Sequence, residues 1–137
     1  ENRNLLMQIG QILATLHKYD KALAYFFKVE YLEKSPANAQ RAIGWCYFMT
    51  GKYEDAIRFY EKLLSTNDMQ TSDWINLGHV YLAQGNIPKA IENYRKAEKN
   101  CGSHDAFLKL YMADKPALLE QDITEENIYL IPDLILE

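Results

Sequence analysis

Three histidines, two cysteines and one Ser-His-Asp run are the residues of this chain whose types could do chemistry. His17, His79 and His104 are not a helical turn apart from one another, and none sits in a metal-ligand spacing. Ser103-His104-Asp105 has the residue types of a hydrolytic relay, but consecutive residues point in different directions and cannot pass a proton along a line. The run reads instead as a helix start. Cys46 and Cys101 are too few for a disulfide framework and lack zinc spacing. Cys46 falls among inward-looking residues, where a thiol packs as a small apolar group. No phosphate-binding glycine loop and no nucleophile elbow is present. The residues therefore point away from catalysis, and no cofactor or metal is expected.

Recognition by burial is the chemistry that remains. Around Gly44-Trp45-Cys46-Tyr47-Phe48-Met49 one helix carries more large apolar residues than a single buried stripe needs. Ile43 and Tyr47 can share a core with Gly44 between them, which leaves Trp45, Phe48 and Met49 on another side.

The elements that position these residues follow from a 34-residue repeat. Gly44 aligns with Gly78, Tyr47 with Tyr81, Gly51 with Gly85, Ala56 with Ala90 and Tyr60 with Tyr94. One period earlier stand Gly10, Ala22 and Phe26. A fixed period over three copies is the mark of a repeat architecture. Apolar residues three, four and seven apart make each half of a copy an amphipathic helix. The first glycine and the alanine let two antiparallel helices approach, and the second glycine ends the first helix in the left-handed conformation. Helix pairs are expected at 3–16 and 18–33, 36–50 and 53–66, and 72–84 and 87–100. Ser35-Pro36, Thr71 or Ser72, and Asn86 supply the start signals.

These residues resemble the tetratricopeptide repeat, whose pattern runs Trp-x-x-Leu-Gly-x-x-Tyr, then Gly, Ala, an aromatic and Ala. The third copy carries Trp74, Leu77, Gly78, Tyr81, Gly85, Ala90, Tyr94 and Ala97. The first departs most, with His17 in the place of the second glycine and Val29 in that of the last alanine. The resemblance implies an all-α, right-handed solenoid of antiparallel helix pairs, with three repeats at 3–36, 37–70 and 71–104 within a domain spanning 1–104. A C-terminal segment, 105–137, follows.

The same resemblance implies a concave groove lined by positions two, five, nine, twelve and thirteen of each copy. Helical spacing agrees, since five, nine and twelve share a face. The expected groove comprises Met7, Gln11, Arg41, Trp45, Phe48, Met49, Ile75, His79 and Leu82, with Arg41, Gln11 and His79 on its rim. Phe48 and Leu82 suit a sealing role between helices equally well. Repeats that hold acidic chaperone tails use lysine, asparagine and arginine at positions five and nine. Here those positions hold Met7, Gln11, Arg41, Trp45, Ile75 and His79, so that clamp is lacking. An apolar peptide or amphipathic helix fits better. The function expected is a non-enzymatic scaffold binding a protein or peptide. The alternatives are a structural segment of a longer solenoid with a self-filled groove, or a holder of apolar segments of a secreted protein.

After Ser103 the pattern changes. Asp105–Ala113 resembles the first helix of a fourth repeat, Ala117–Leu119 a short helix, and Thr124 starts a last one that Pro132 should interrupt. The segment caps the last repeat, lies in a groove of its own chain or of a neighbour (self-association through the tail), or continues into further structure. From Asp114 on it carries a charge of −6, against +2 for the rest and −4 overall. That balance argues against nucleic acid, which needs a concentrated basic face. No run approaches the roughly 18 apolar residues of a membrane span. Free thiols favour a reducing, cytoplasmic setting. A start at Glu1 rather than Met suggests a processed product or a piece of a longer protein.

Overall fold

A computed structural model describes residues 2–136, and among them the structure is all-α. The helices are α1 (Arg3–Thr15), α2 (Tyr19–Leu32), α3 (Ala37–Met49), α4 (Tyr53–Ser65), α5 (Thr71–Ala83), α6 (Ile87–Cys101), α7 (His104–Ala113), α8 (Lys115–Glu120) and α9 (Glu125–Leu136). They form two compact units, Glu1–Asp68 and Met69–Glu137. In the first unit α1 pairs with α2 and α3 with α4, and α2 packs on α3. In the second α5 pairs with α6, α6 touches α7 and α9, and α8 touches α7 and α9.

One contact recurs in every helix pair. A Cβ placed on Gly10 would lie 2.5 Å from the Phe26 ring, on Gly44 2.9 Å from the Tyr60 ring, and on Gly78 2.6 Å from the Tyr94 ring. The first helix of each pair thus has bare backbone where the second inserts an aromatic. Ala22, Ala56 and Ala90 on the second helices are fully buried beside it. Turns between paired helices repeat too. Gly51 and Gly85 adopt φ of 77° and 78°, and His17, their counterpart in the first copy, takes φ of 61° without being glycine. That conformation disfavours side-chain-bearing residues, so the repeat's geometry has imposed itself on a less suitable residue.

Helix starts follow the expected signals with two shifts. Asn86 caps α6 by accepting the Lys89 N–H, and Ser103 caps α7 by accepting the Ala106 N–H. Pro36 is the residue before α3 rather than its first member, its carbonyl accepting the Gln40 N–H. Neither Thr71 nor Ser72 caps α5. The cap is Gln70, whose N–H donates to the Asp73 carboxylate at 2.9 Å.

The expected break at Pro132 does not occur, and α9 runs through it. Proline lacks the N–H that would bond the carbonyl four residues back, here that of Ile128. Tyr111 on α7 supplies the missing donor: its hydroxyl donates to the Ile128 carbonyl at 2.7 Å. Near the end of the helix the Arg95 guanidinium donates to the Leu134 carbonyl at 3.1 Å. Two carbonyls of α9 are thus satisfied from α6 and α7, while Ile128, Ile131 and Ile135 are buried.

Two stability measurements follow. Gly78→Ala sets a methyl against the fully buried Tyr94 ring. Overpacking costs about 1–3 kcal/mol and the helix-propensity gain offsets about 1 kcal/mol, so urea denaturation should show a net loss. Tyr111→Phe should cost about 1–3 kcal/mol by stranding the Ile128 carbonyl. In a Pro132→Ala background the restored N–H can take that carbonyl, so a double-mutant cycle should show the Tyr111 penalty shrinking.

Candidate protein-binding groove

In the first unit α1 and α3 lie side by side above Phe26 of α2. Between them is a cavity of about 270 Å³ lined by Gln11, Ala14, Thr15, Phe26, Ala42, Trp45 and Cys46. Four of these seven belong to the row of positions expected to face a groove: Gln11, Ala14, Thr15 and Trp45. The floor is Phe26 and Cys46, 1% and 0% exposed. The mouth carries exposed Gln11 and Thr15, the Thr15 hydroxyl donating to the Gln11 carbonyl at 2.9 Å. Phe26, Ala42 and Cys46 were not foreseen as lining. Their helix positions mark them as core, and only the gap between α1 and α3 brings them to the cavity.

Trp45 is half-buried, its ring 5.3 Å from that of Phe48. Phe48 is fully buried and lies 5.9 Å from Tyr53. It therefore backs Trp45 rather than meeting a ligand. Met49 is half-buried, as is Met7, which packs on the cluster of Ala22, Leu23, Phe26, Ile43 and Cys46. Arg41 spans inward contacts, donating to the Asn38 side chain at 2.6 Å and to the Asp68 carbonyl at 2.9 Å. Its guanidinium fastens the start of α3 to the loop after α4.

The remaining expected groove residues, Ile75, His79 and Leu82, belong to the second unit and are 2%, 0% and 4% exposed. His79 is not on an open rim. Its Nδ1 lies 2.6 Å from the Tyr94 hydroxyl and its Nε2 2.9 Å from Asp114 Oδ2. The Tyr111 ring packs beside it, 5.8 Å away. With Nε2–H donating to the carboxylate, Nδ1 is left to accept from Tyr94. Burial, the Tyr111 hydroxyl and the Asp114 charge all hold the Tyr94 hydroxyl well above its usual range, so it stays a neutral donor. Asp114 stands 35 residues from His79 in the chain, at the junction of α7 and α8. No local pattern could have announced that partner.

Burial pushes the Cys46 thiol up to about 12, so it lines the cavity as a thiol and not as a thiolate. Among the described residues, no group of three or more His, Cys, Asp or Glu is placed to hold a metal ion. No helix of the described residues is long and apolar enough to cross a membrane.

Paired helices that repeat the same glycine–aromatic contact define an α-helical repeat protein. The tetratricopeptide repeat model matches residues 37–68 and 72–104. Residues 37–68 and 72–104 are thus tetratricopeptide repeats, of a family whose members generally mediate protein–protein interaction and typically serve as non-enzymatic scaffolds. Residues Arg3–Leu32, outside the matched segments, fold as the same kind of helix pair. The chain is 34% identical over 62 residues to Tetratricopeptide repeat protein 14 of Mus musculus, a match covering 45% of this chain and 8% of that protein. It is 23% identical over 135 residues to Heat shock protein STI1 of Saccharomyces cerevisiae, covering 93% of this chain and 23% of the relative. The chain thus spans under a quarter of either relative's length. A crystal structure of MamA superposes with a TM-score of 0.67 at 20% identity, over 98% of this chain and 78% of that one. The fold is accordingly that of a tetratricopeptide α-solenoid.

Thiol labelling tests the Cys46 assignment. At neutral pH, Cys101 should react with a disulfide reagent while Cys46 stays silent until denaturant opens the first unit. As pH rises from about 8.5, the unfolded thiol's value, toward about 12, the unfolded state loses its proton first. Stability linked to Cys46 should therefore fall across that window, and Cys46→Ala should remove this part of the alkaline slope.

Proposed function

We propose that the chain binds a protein partner through the trough between α1 and α3, taking an apolar side chain of an extended peptide or an amphipathic helix beside Trp45. The observation that carries this reading is the cavity of about 270 Å³ with an apolar floor and an amide and a hydroxyl at its mouth. It is smaller than the roughly 300–1,000 Å³ of pockets that enclose drug-sized ligands. A single large side chain suits it better than a free metabolite. Tryptophan half-buried at the edge of such a cavity is a favoured anchor, and Gln11 with Thr15 can meet the backbone of the incoming segment. Arg41 holds the site's geometry through Asn38 and Asp68, and Phe48 supports Trp45 from behind. The reading assigns Ile75, His79 and Leu82 to the packing of the third repeat. It also assigns 1–104 to three repeats and 105–137 to a segment that caps the third.

Positions five and nine of the first two copies hold Met7, Gln11, Arg41 and Trp45, which favours an apolar ligand over an acidic tail. Selection from a random peptide display library should yield segments centred on a leucine or an aromatic. In a Trp74→Phe variant, Trp45 is the remaining tryptophan, and binding of a selected peptide should shift its emission to shorter wavelength. Trp45→Ala should weaken binding about tenfold or more, a loss of about 1.4 kcal/mol or greater. Peptides that are uniformly acidic, or that bind the Trp45→Ala chain equally well, would defeat the assignment.

A further inference from the structure

The cavity between α1 and α3 has a register counterpart inside the second unit. Two periods on from Gln11, Phe26 and Cys46 stand His79, Tyr94 and Asp114. Where the first set leaves a cavity, the second is bridged. His79 Nε2 lies 2.9 Å from Asp114 Oδ2, and Nδ1 lies 2.6 Å from the Tyr94 hydroxyl. Imidazole and phenol are fully buried, but the Asp114 side chain keeps 32% of its surface open. Asp114 directly precedes α8, a place where a carboxylate ordinarily caps the helix. It makes no capping hydrogen bond there and is turned to His79 instead.

We infer that Asp114 is a recognition carboxylate for an arginine side chain of a protein partner. Its donor cannot turn away, because Tyr94 holds the other ring nitrogen, so the carboxylate is oriented before any ligand arrives. With Nε2 donating and Nδ1 accepting, the ring carries one proton and leaves the Asp114 charge uncancelled. The neighbouring cation is diverted: Lys115 Nζ lies 2.6 Å from the Tyr129 hydroxyl and 3.8 Å from Glu125 Oε2. The approach is open, since small, exposed Ala113 stands at the register place of Trp45. One turn back on α7, Leu110 is 48% exposed and offers a ledge to the aliphatic stem of an arginine. Oδ1 and the second lone pair of Oδ2 remain for the guanidinium fork, which a point-like ammonium matches less well.

Nuclear magnetic resonance of the 137-residue chain, titrated at neutral pH with N-acetyl-alanyl-arginyl-alanine amide, tests this. The Asp114 carboxyl carbon and the His79 Nε2–H should shift together and saturate by about 10 mM peptide. Exposed Glu126 and Asp133 on α9 report the background. The same peptide with citrulline for arginine keeps the shape and loses the charge, and it should leave Asp114 unmoved. That comparison needs no variant. Asp114→Asn, with helical circular dichroism unchanged, should bind the arginine peptide about tenfold more weakly or worse, read at His79. Asp114 shifts no larger than those of Glu126 and Asp133 overturn the inference, as do equal shifts with the citrulline peptide. So does an Asp114→Asn chain that binds as well as the wild type.

Discussion

An aromatic ring laid on a glycine is the contact on which each helix pair depends. Phe26 on Gly10, Tyr60 on Gly44 and Tyr94 on Gly78 bring two backbones closer than any Cβ would permit. That approach sets where every other side chain of the pair falls. On one side of the first helix it creates the shared core, with Ala22, Ala56 and Ala90 fully buried. On the other it leaves Gln11, Ala14, Thr15 and Trp45 at the cavity between α1 and α3. A candidate binding surface is therefore a by-product of the packing rather than a separate device.

The same glycine and aromatic made the fold legible, because their physical demand is local and recurs every 34 residues. Gly51 and Gly85 were equally plain, and even His17, which hides the turn in the first copy, occupies the left-handed conformation the register asks of it. What was not legible involved partners distant in the chain. Pro132 reads as a stop because its effect on its own helix is certain, while its remedy, the Tyr111 hydroxyl on the Ile128 carbonyl, comes from 17 residues earlier. His79 reads as a groove residue because its helix position is that of Gln11 and Trp45. Its burial depends on Tyr94, Tyr111 and Asp114, which no helical wheel displays.

Position nine shows how one backbone site yields three outcomes. Gln11 is exposed, Trp45 is half-buried at a cavity edge, and His79 is fully buried with both ring nitrogens engaged. The helix geometry is the same in each copy, so the difference lies in what the neighbouring element brings. At His79 the neighbour is α7 with its terminal carboxylate, and the imidazole suits that environment because it can donate on one side and accept on the other. A tryptophan at this position, a donor only, could not join Asp114 to Tyr94 in this way.

The contrast bears on why a scaffold family supports many partners on one architecture. The residues that hold the fold, the glycine, the aromatic and the alanine, are spent chiefly within each pair, the Phe26 ring also serving as floor of the cavity. The residues that can offer something occupy the face the pair leaves over, where substitution does not disturb the pair. In this chain that leftover face is apolar and aromatic between α1 and α3, and it is sealed by polar contacts at His79. Recognition then lies in a few side chains on a shared frame, and fold alone does not name the partner. The identity of the side chain beside Gly44, a tryptophan over a cavity with a cysteine floor, says more about ligand chemistry than the 34-residue register that put it there.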